Sequence, residues 1–151
     1  MLMKHPDVSQ QTRTDAGLAA ELRMAVGRLA RRLRAQRPDS SLSLGQGAVL
    51  FALARHGQMT PGGLAEYEKV QPPSMTRVIS ALEERGLVRR MKHPDDRRQQ
   101  LVELTDEGAL LVHQDQERRE AWLTLRLAEL TPAEKTTLRK AAQILGRLSQ
   151  S

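Results

Sequence analysis

The hydrophobic pattern of the chain changes at Gly86, and this change constrains the fold more than any other feature of the sequence. Upstream, apolar residues recur at steps of three and four, which is typical of amphipathic helices. Downstream, two short extended segments, residues 87–91 and 100–104, flank a polar stretch that contains Pro94. This pattern predicts a β-hairpin with a long tip. A pair of helices followed directly by a hairpin predicts a winged helix.

Capping signals divide the first half of the chain into helices. Leucine and valine residues recur at helical spacing over residues 18–33, which predicts a first helix of roughly six turns. The polar residues 38–41 break this pattern. Ser43 and Gln46, three residues apart, form a predicted capping box that opens a second helix. Thr60, which is followed by proline, opens a short third helix.

The same signals place one helix before the hairpin and two after it. Residues 71–73 include two prolines and begin the fourth helix, because proline in a first turn loses no hydrogen bond. Gly86 is placed to end that helix as a left-handed residue. Thr105 and Thr131 are each followed by acidic residues, and they cap two further helices.

The terminal helices do not fit inside a small winged helix, and their leftover apolar stripes need a partner surface. We therefore expect a mainly α fold with a small β-hairpin wing, in which dimerisation helices flank a winged helix-turn-helix. The expected parts are a flexible tail over residues 1–14, a helical dimerisation region over 15–36 and 106–151, and a DNA-binding domain over 43–105. The candidate dimerisation residues are Leu18, Leu22, Leu138, Leu145 and Leu148.

The charge balance favours a polyanionic partner. The 151 residues include 24 Lys and Arg against 18 Asp and Glu, which gives a net charge of +6. Only three aromatic residues occur, so a protein that stacks single-stranded bases on aromatic side chains is disfavoured. Double-stranded DNA is the expected partner.

Several other classes of protein lack support in the sequence. The chain has no cysteine, which excludes disulfides, thiolate metal sites and cysteine nucleophiles. The four histidines lie too far apart for a local metal motif, and no nucleophile and base occur at usable spacing, so we expect no metal, no cofactor and no enzyme activity. No apolar run approaches a membrane span and the first residues do not resemble a signal peptide, so we expect a cytoplasmic protein.

The fourth helix has one apolar face and one polar face. Met75, Val78, Ile79 and Leu82 share a sector, and short polar side chains with one arginine lie opposite. Small side chains allow close approach to base edges, and an arginine can donate two hydrogen bonds to guanine or bind a phosphate. An ordinary solvated face is the alternative. The candidate DNA-binding residues here are Gln71, Pro73, Ser74, Thr76, Arg77 and Ser80.

The expected hairpin tip carries Arg97 and Arg98 beside Asp95 and Asp96, and Arg89 lies on the strand that enters it. A narrow minor groove attracts an arginine inserted from a loop, and a neighbouring carboxylate can hold the guanidinium in one direction. We expect the three arginines to bind DNA and one of the two aspartates to orient the inserted arginine. A solvated charged loop is the alternative.

Residues 60–108 resemble the DNA-binding core of the MarR (multiple antibiotic resistance regulator) family. The motifs that carry the resemblance are LEERGLV at residues 82–88, PDDRR at 94–98 and LTDEG at 104–108. At a turn where the family often has glycine, this chain has Lys69.

The resemblance implies a homodimer that binds a palindromic operator and represses transcription. It implies that the helix over residues 71–85 enters the major groove and that Arg97 or Arg98 reaches the minor groove. It further implies that a small, often aromatic or anionic, effector releases the DNA by binding between the dimerisation helices and the winged helix. The alternative function is a winged-helix module for protein interaction or DNA architecture without a ligand response. Such a module does not need arginines on both the helix face and the wing tip.

Overall fold

The computed structural model describes residues 8–37 and 41–151 and confirms the winged helix. Its elements, in chain order, are α1 (Val8–Arg34), α2 (Leu44–His56), α3 (Pro61–Glu68), α4 (Pro72–Glu84), β1 (Val88–Lys92), β2 (Gln100–Leu104), α5 (Asp106–Leu127) and α6 (Pro132–Leu148). The two strands form one antiparallel hairpin. The chain forms two compact units, residues 1–36 with 121–151 and residues 37–120.

The element boundaries differ from the expected parts at two places. Helix α1 begins at Val8, so residues 8–14, which the sequence assigned to a tail, are helical. The unit that contains the hairpin extends through residue 120 rather than 105, because Val112 and Asp115 of α5 are buried in it. Residues 1–7 of the expected tail and residues 38–40 of the expected break lie outside the described residues.

The core of the unit over residues 37–120 is formed by α2, α3, α4 and the root of the hairpin. Its most deeply buried large side chains are Val49, Leu64, Ile79, Leu82, Val88 and Val102. Met75 joins Ile79 and Leu82 on the buried face of α4, as the sequence predicts, and Val78 is only half-buried at its edge. This packing leaves the opposite face of α4 on the surface.

The predicted helix caps are present. Ser43 Oγ accepts a hydrogen bond from the Gln46 N–H (3.1 Å), and Gln46 Oε1 accepts one from the Ser43 N–H (3.0 Å). Thr60 Oγ1 caps α3 by accepting from the Gly63 N–H (3.0 Å). Gly86 has a φ of +73°, the left-handed conformation that the sequence predicts for it. Lys69 also has a positive φ, of 55°, where a side chain adds roughly 1 kcal/mol of strain.

A further backbone pair, which no sequence signal predicts, joins the hairpin to the helices. Met59, between α2 and α3, donates its N–H to the Val102 carbonyl (3.1 Å) and accepts from the Val102 N–H (2.8 Å). Strand β2 therefore has backbone partners on both edges at this point. The root of the hairpin is thus fixed to the segment that precedes α3.

We expect Gly108→Ala to lower the free energy of unfolding by about 2 kcal/mol, because a Cβ at this position would lie 2.0 Å from the Leu87 carbonyl oxygen. Gly62→Ala is the matched control, since a Cβ there has no neighbour within 4 Å. It should raise the free energy of unfolding by about 0.5 kcal/mol. Urea unfolding measures both, and equal effects of the two substitutions would contradict the close approach at Gly108.

Candidate nucleic-acid interface

The exposed face of α4 presents the candidate residues from its first two turns. Gln71 is the N-cap residue, and its side chain makes no capping hydrogen bond. Pro73, Ser74, Thr76 and Arg77 are all exposed. Thr76 Oγ1 donates to the Pro72 carbonyl (3.0 Å), which leaves its lone pairs free to accept. Within residues 8–37 and 41–151, Arg77 forms no ion pair, so its guanidinium is available to a ligand.

Ser80 differs from the other candidates on α4 because its hydroxyl already has a protein partner. It is half-buried, and its Oγ accepts a hydrogen bond from Arg90 Nη2 of β1 at 2.9 Å. The structure therefore brings Ser80 together with the hairpin rather than leaving it among the exposed residues of the helix.

The tip of the hairpin is ordered by its own side chains. The backbone N–H of His93 donates to the Gln99 carbonyl (3.1 Å), which closes the loop. His93 Nδ1 accepts from the backbone N–H groups of Asp95 (3.1 Å) and Asp96 (3.2 Å). Asp96 Oδ1 accepts from the Arg98 N–H (3.0 Å). These contacts hold the backbone on both sides of the tip.

The aspartates at the tip were expected to orient an arginine side chain, and the structure shows a different contact. Asp96 binds the backbone of Arg98 in an Asx turn, and no carboxylate of the described residues pairs with the guanidinium of Arg97 or Arg98. Both guanidinium groups are exposed. Sequence reasoning missed His93, although its place just before two aspartates at a turn is a signal for such a contact.

Arg89 lies on the outer face of the hairpin and is paired within the fold. Its Nε donates to Oε1 of Glu103, the residue directly across the ladder, at 2.5 Å, and its side chain is 65% exposed. Gln58 Nε2 donates to the other oxygen of the same carboxylate (2.7 Å). The hydrogen bonds from Gln58 and Arg89 lower the pKa of Glu103 below its ordinary value of 4.5. Arg89 is thus held against the side of the hairpin.

The unit formed by residues 1–36 and 121–151 carries the candidate dimerisation residues. Leu18, Leu22, Leu138 and Leu148 are exposed, and Leu145 is half-buried in a groove of about 570 Å³ that Leu29, Leu123 and Leu127 also line. In the same unit, the guanidinium carbons of Arg32 and Arg126 lie 5.7 Å and 5.3 Å from the centroid of the Trp122 ring. Four of the five candidate dimerisation residues are thus exposed in the single chain.

No helix among the described residues is long and apolar enough to cross a membrane. Residues 8–37 and 41–151 also contain no cluster of three or more His, Asp or Glu side chains that could hold a metal ion. The exposed hydroxyl and guanidinium groups of α4 and the hairpin tip can form hydrogen bonds and bind anions.

Comparison with known proteins gives a consistent set of similarities. The model of the MarR family matches residues 42–99. An uncharacterized helix-turn-helix transcriptional regulator of Mycobacterium bovis is 48% identical over 132 residues, which are 87% of this chain and 92% of that protein.

Two solved structures extend the similarity to the fold. A MarR family protein from Bacillus stearothermophilus superposes with a TM-score of 0.81 at 21% identity, covering 93% of this chain and 98% of that one. BpsR of Bordetella bronchiseptica, whose DNA binding is regulated by 6-hydroxynicotinic acid, matches with a TM-score of 0.64 at 27% identity. That match covers 86% of this chain and 98% of BpsR.

The lowered pKa of Glu103 predicts a pH dependence of stability. The carboxylate has a lower pKa in the folded state than in the unfolded state, so its contribution is present above pH 4.5 and is lost as the pH falls through the folded-state value. Glu103→Gln removes this contribution. We therefore expect the parent to exceed the variant in free energy of unfolding at pH 7, and the difference to shrink between about pH 5 and pH 3. Urea unfolding across this range is the measurement, and a difference that stays constant would contradict the assignment.

Proposed function

Since the chain belongs to the MarR family of helix-turn-helix transcriptional regulators, we propose that it is a homodimeric repressor of a palindromic double-stranded DNA operator. We further propose that a small-molecule effector releases it from the DNA. The observation that carries the proposal is the placement of unpaired cations on two neighbouring elements of one unit. Arg77 lies on the exposed face of α4, and Arg97 and Arg98 lie on the tip of the hairpin that follows it.

On this proposal, α4 enters the major groove and the hairpin tip approaches the adjacent minor groove. The exposed side chains of the first turns of α4 contact base edges and phosphates, with Arg77 as the one cation among them. Arg97 or Arg98 enters the minor groove, and the other binds phosphate. Arg89 is held beside Glu103 and contributes to the cationic side of the wing.

The dimer is supported by the apolar side chains of the unit formed by residues 1–36 and 121–151. Leu18 and Leu148 are 52% and 60% exposed, and the groove beside Leu138 and Leu145 is lined almost entirely by apolar groups. Covering exposed apolar surface of this kind with a second copy removes it from water, which favours association.

The effector response is supported by BpsR, whose DNA binding is regulated by an aromatic acid. A pocket in the unit over residues 37–120 is a candidate place for such a molecule. It has a volume of about 590 Å³ and is lined by Phe51, Arg55, Tyr67 and Gln116, among others. Aromatic rings and a guanidinium suit an aromatic anion.

A footprint on the DNA that flanks the gene tests the proposed function. We expect two protected half-sites with centres about one helical turn, roughly 10 base pairs, apart, because a two-fold dimer presents one α4 to each. Sedimentation of the same protein at micromolar concentration should give a dimer. A monomer that shows no preference for a palindrome would overturn the proposal.

The wing predicts opposite effects for two adjacent charge changes. Asp96→Ala removes the acceptor that orders the Arg98 backbone, so it should weaken DNA binding although it makes the protein more positive. Asp95→Ala makes the same charge change, and the described structure shows no hydrogen bond to its carboxylate, so it should bind slightly more tightly. Titration of both variants against one operator at several salt concentrations is the measurement. Tighter binding by both variants would indicate that the wing tip is a solvated charged loop.

A further inference from the structure

Arg90 is an arginine on the core-facing side of the hairpin. It pairs across the ladder with Val102, and it follows Val88 by two residues, so it lies on the same face as these two buried side chains. Its side chain is 25% exposed, against 65% for its neighbour Arg89 on the outer face. A guanidinium in such a place needs polar partners, because burying a charge without them is costly.

The partners of Arg90 come from two other elements. On α4, Ser80 Oγ accepts from Nη2 at 2.9 Å, and Glu83 Oε1 lies 3.5 Å from Nε. On β2, Gln100 Oε1 accepts from Nη1 at 3.5 Å. One planar group thus contacts the helix that the proposed function places in the major groove and the strand that leads out of the wing tip.

We propose that Arg90 is a positioning residue for sequence selectivity, which fixes the angle between α4 and the wing. The inference rests on the proposed function. Apolar packing of Ile79 and Val88 holds the helix and hairpin together but has little directionality, whereas a guanidinium with partners on both elements favours one orientation. Two DNA-contacting elements held in a matching orientation bind as one unit, and loosening their connection loses that advantage.

The same geometry argues against a direct DNA contact by Arg90 or Ser80. The guanidinium is directed at groups of this chain and is largely covered, while Arg77, Arg97 and Arg98 are exposed and unpaired among the described residues. The Ser80 hydroxyl is half-buried and accepts one hydrogen bond from Arg90. On this inference Ser80 acts through Arg90 rather than by reading a base.

The test compares Arg90→Lys, Ser80→Ala and the double variant in the full-length protein. Arg90→Lys keeps the charge but loses the planar fork, and Ser80→Ala removes the acceptor without changing any charge. Arg118→Lys, at an exposed position of α5, is the matched control. The probes are a duplex of about 30 base pairs that the parent selects from a random-sequence pool, long enough for two half-sites, and a scrambled duplex of the same composition.

We expect each single variant to bind the selected duplex about tenfold more weakly, which corresponds to about 1.4 kcal/mol. Binding to the scrambled duplex should change less than about twofold with an unchanged salt slope, because no phosphate contact is lost. The double variant should lose little more than either single variant, since both remove the same link. Arg118→Lys should match the parent.

Three results would overturn the inference while leaving the proposed function intact. They are binding like the parent by both single variants, equal losses on the two duplexes, and losses that multiply in the double variant. A parent protein that does not prefer any selected duplex would instead overturn the proposed function. Urea unfolding identifies any variant that fails to fold. Ser80→Ala removes only one hydroxyl, so it keeps the test decisive if Arg90→Lys is unstable.

Discussion

The geometry of the winged unit depends on the hydrogen bonds of Thr105. Its N–H donates to the Leu87 carbonyl (3.1 Å), its Oγ1 donates to the Gly86 carbonyl (2.6 Å), and the same oxygen accepts from the Gly108 N–H (3.1 Å). One residue thereby joins the end of α4, the start of the hairpin and the first turn of α5. Gly86 supplies the left-handed turn, and Gly108 lets the α5 backbone approach Leu87. The motifs LEERGLV and LTDEG, which carry the family resemblance, are the two sides of this junction.

A buried ion pair in the same unit joins the segment before α2 to the middle of α5. Arg37, which precedes α2, donates through Nε to Asp115 Oδ2 of α5 at 2.9 Å, and Asp115 is almost fully buried. The guanidinium packs against Gly47, where a Cβ would approach it to 2.5 Å. Such a pair adds little net stability over an apolar contact, but removing either partner alone is costly. It accounts for the grouping of the first half of α5 with the winged helix.

The sequence predicts the helices, caps and turns that depend on neighbouring residues. It does not predict side-chain pairs and burial that depend on residues distant in the chain. The periodicity over residues 18–33, the Ser43 capping box and the turn at Gly86 identify elements because each depends on neighbours along the chain. The partners of Arg90 and Glu103, and the burial of Asp115, depend on residues 7 to 78 positions away. A pattern of charged residues does not show which of them will pair, so Ser80 and Arg77 look equivalent on a helical projection and differ in the structure.

The net charge of +6 includes arginines paired within the fold and arginines that are not, and the two groups differ in what they offer to a ligand. Arg37, Arg89 and Arg90 each contact a carboxylate of their own unit, so part of their charge is neutralised locally. Arg77, Arg97 and Arg98 have no carboxylate partner among the described residues, and they lie on the two elements that a winged helix offers to DNA. On the proposed function, Arg77, Arg97 and Arg98 contribute more to salt-dependent affinity than the paired arginines do, because that affinity follows from cations that replace counterions at phosphates. The paired arginines connect elements of the winged unit, and on the proposed function they set the geometry in which the unpaired ones contact DNA.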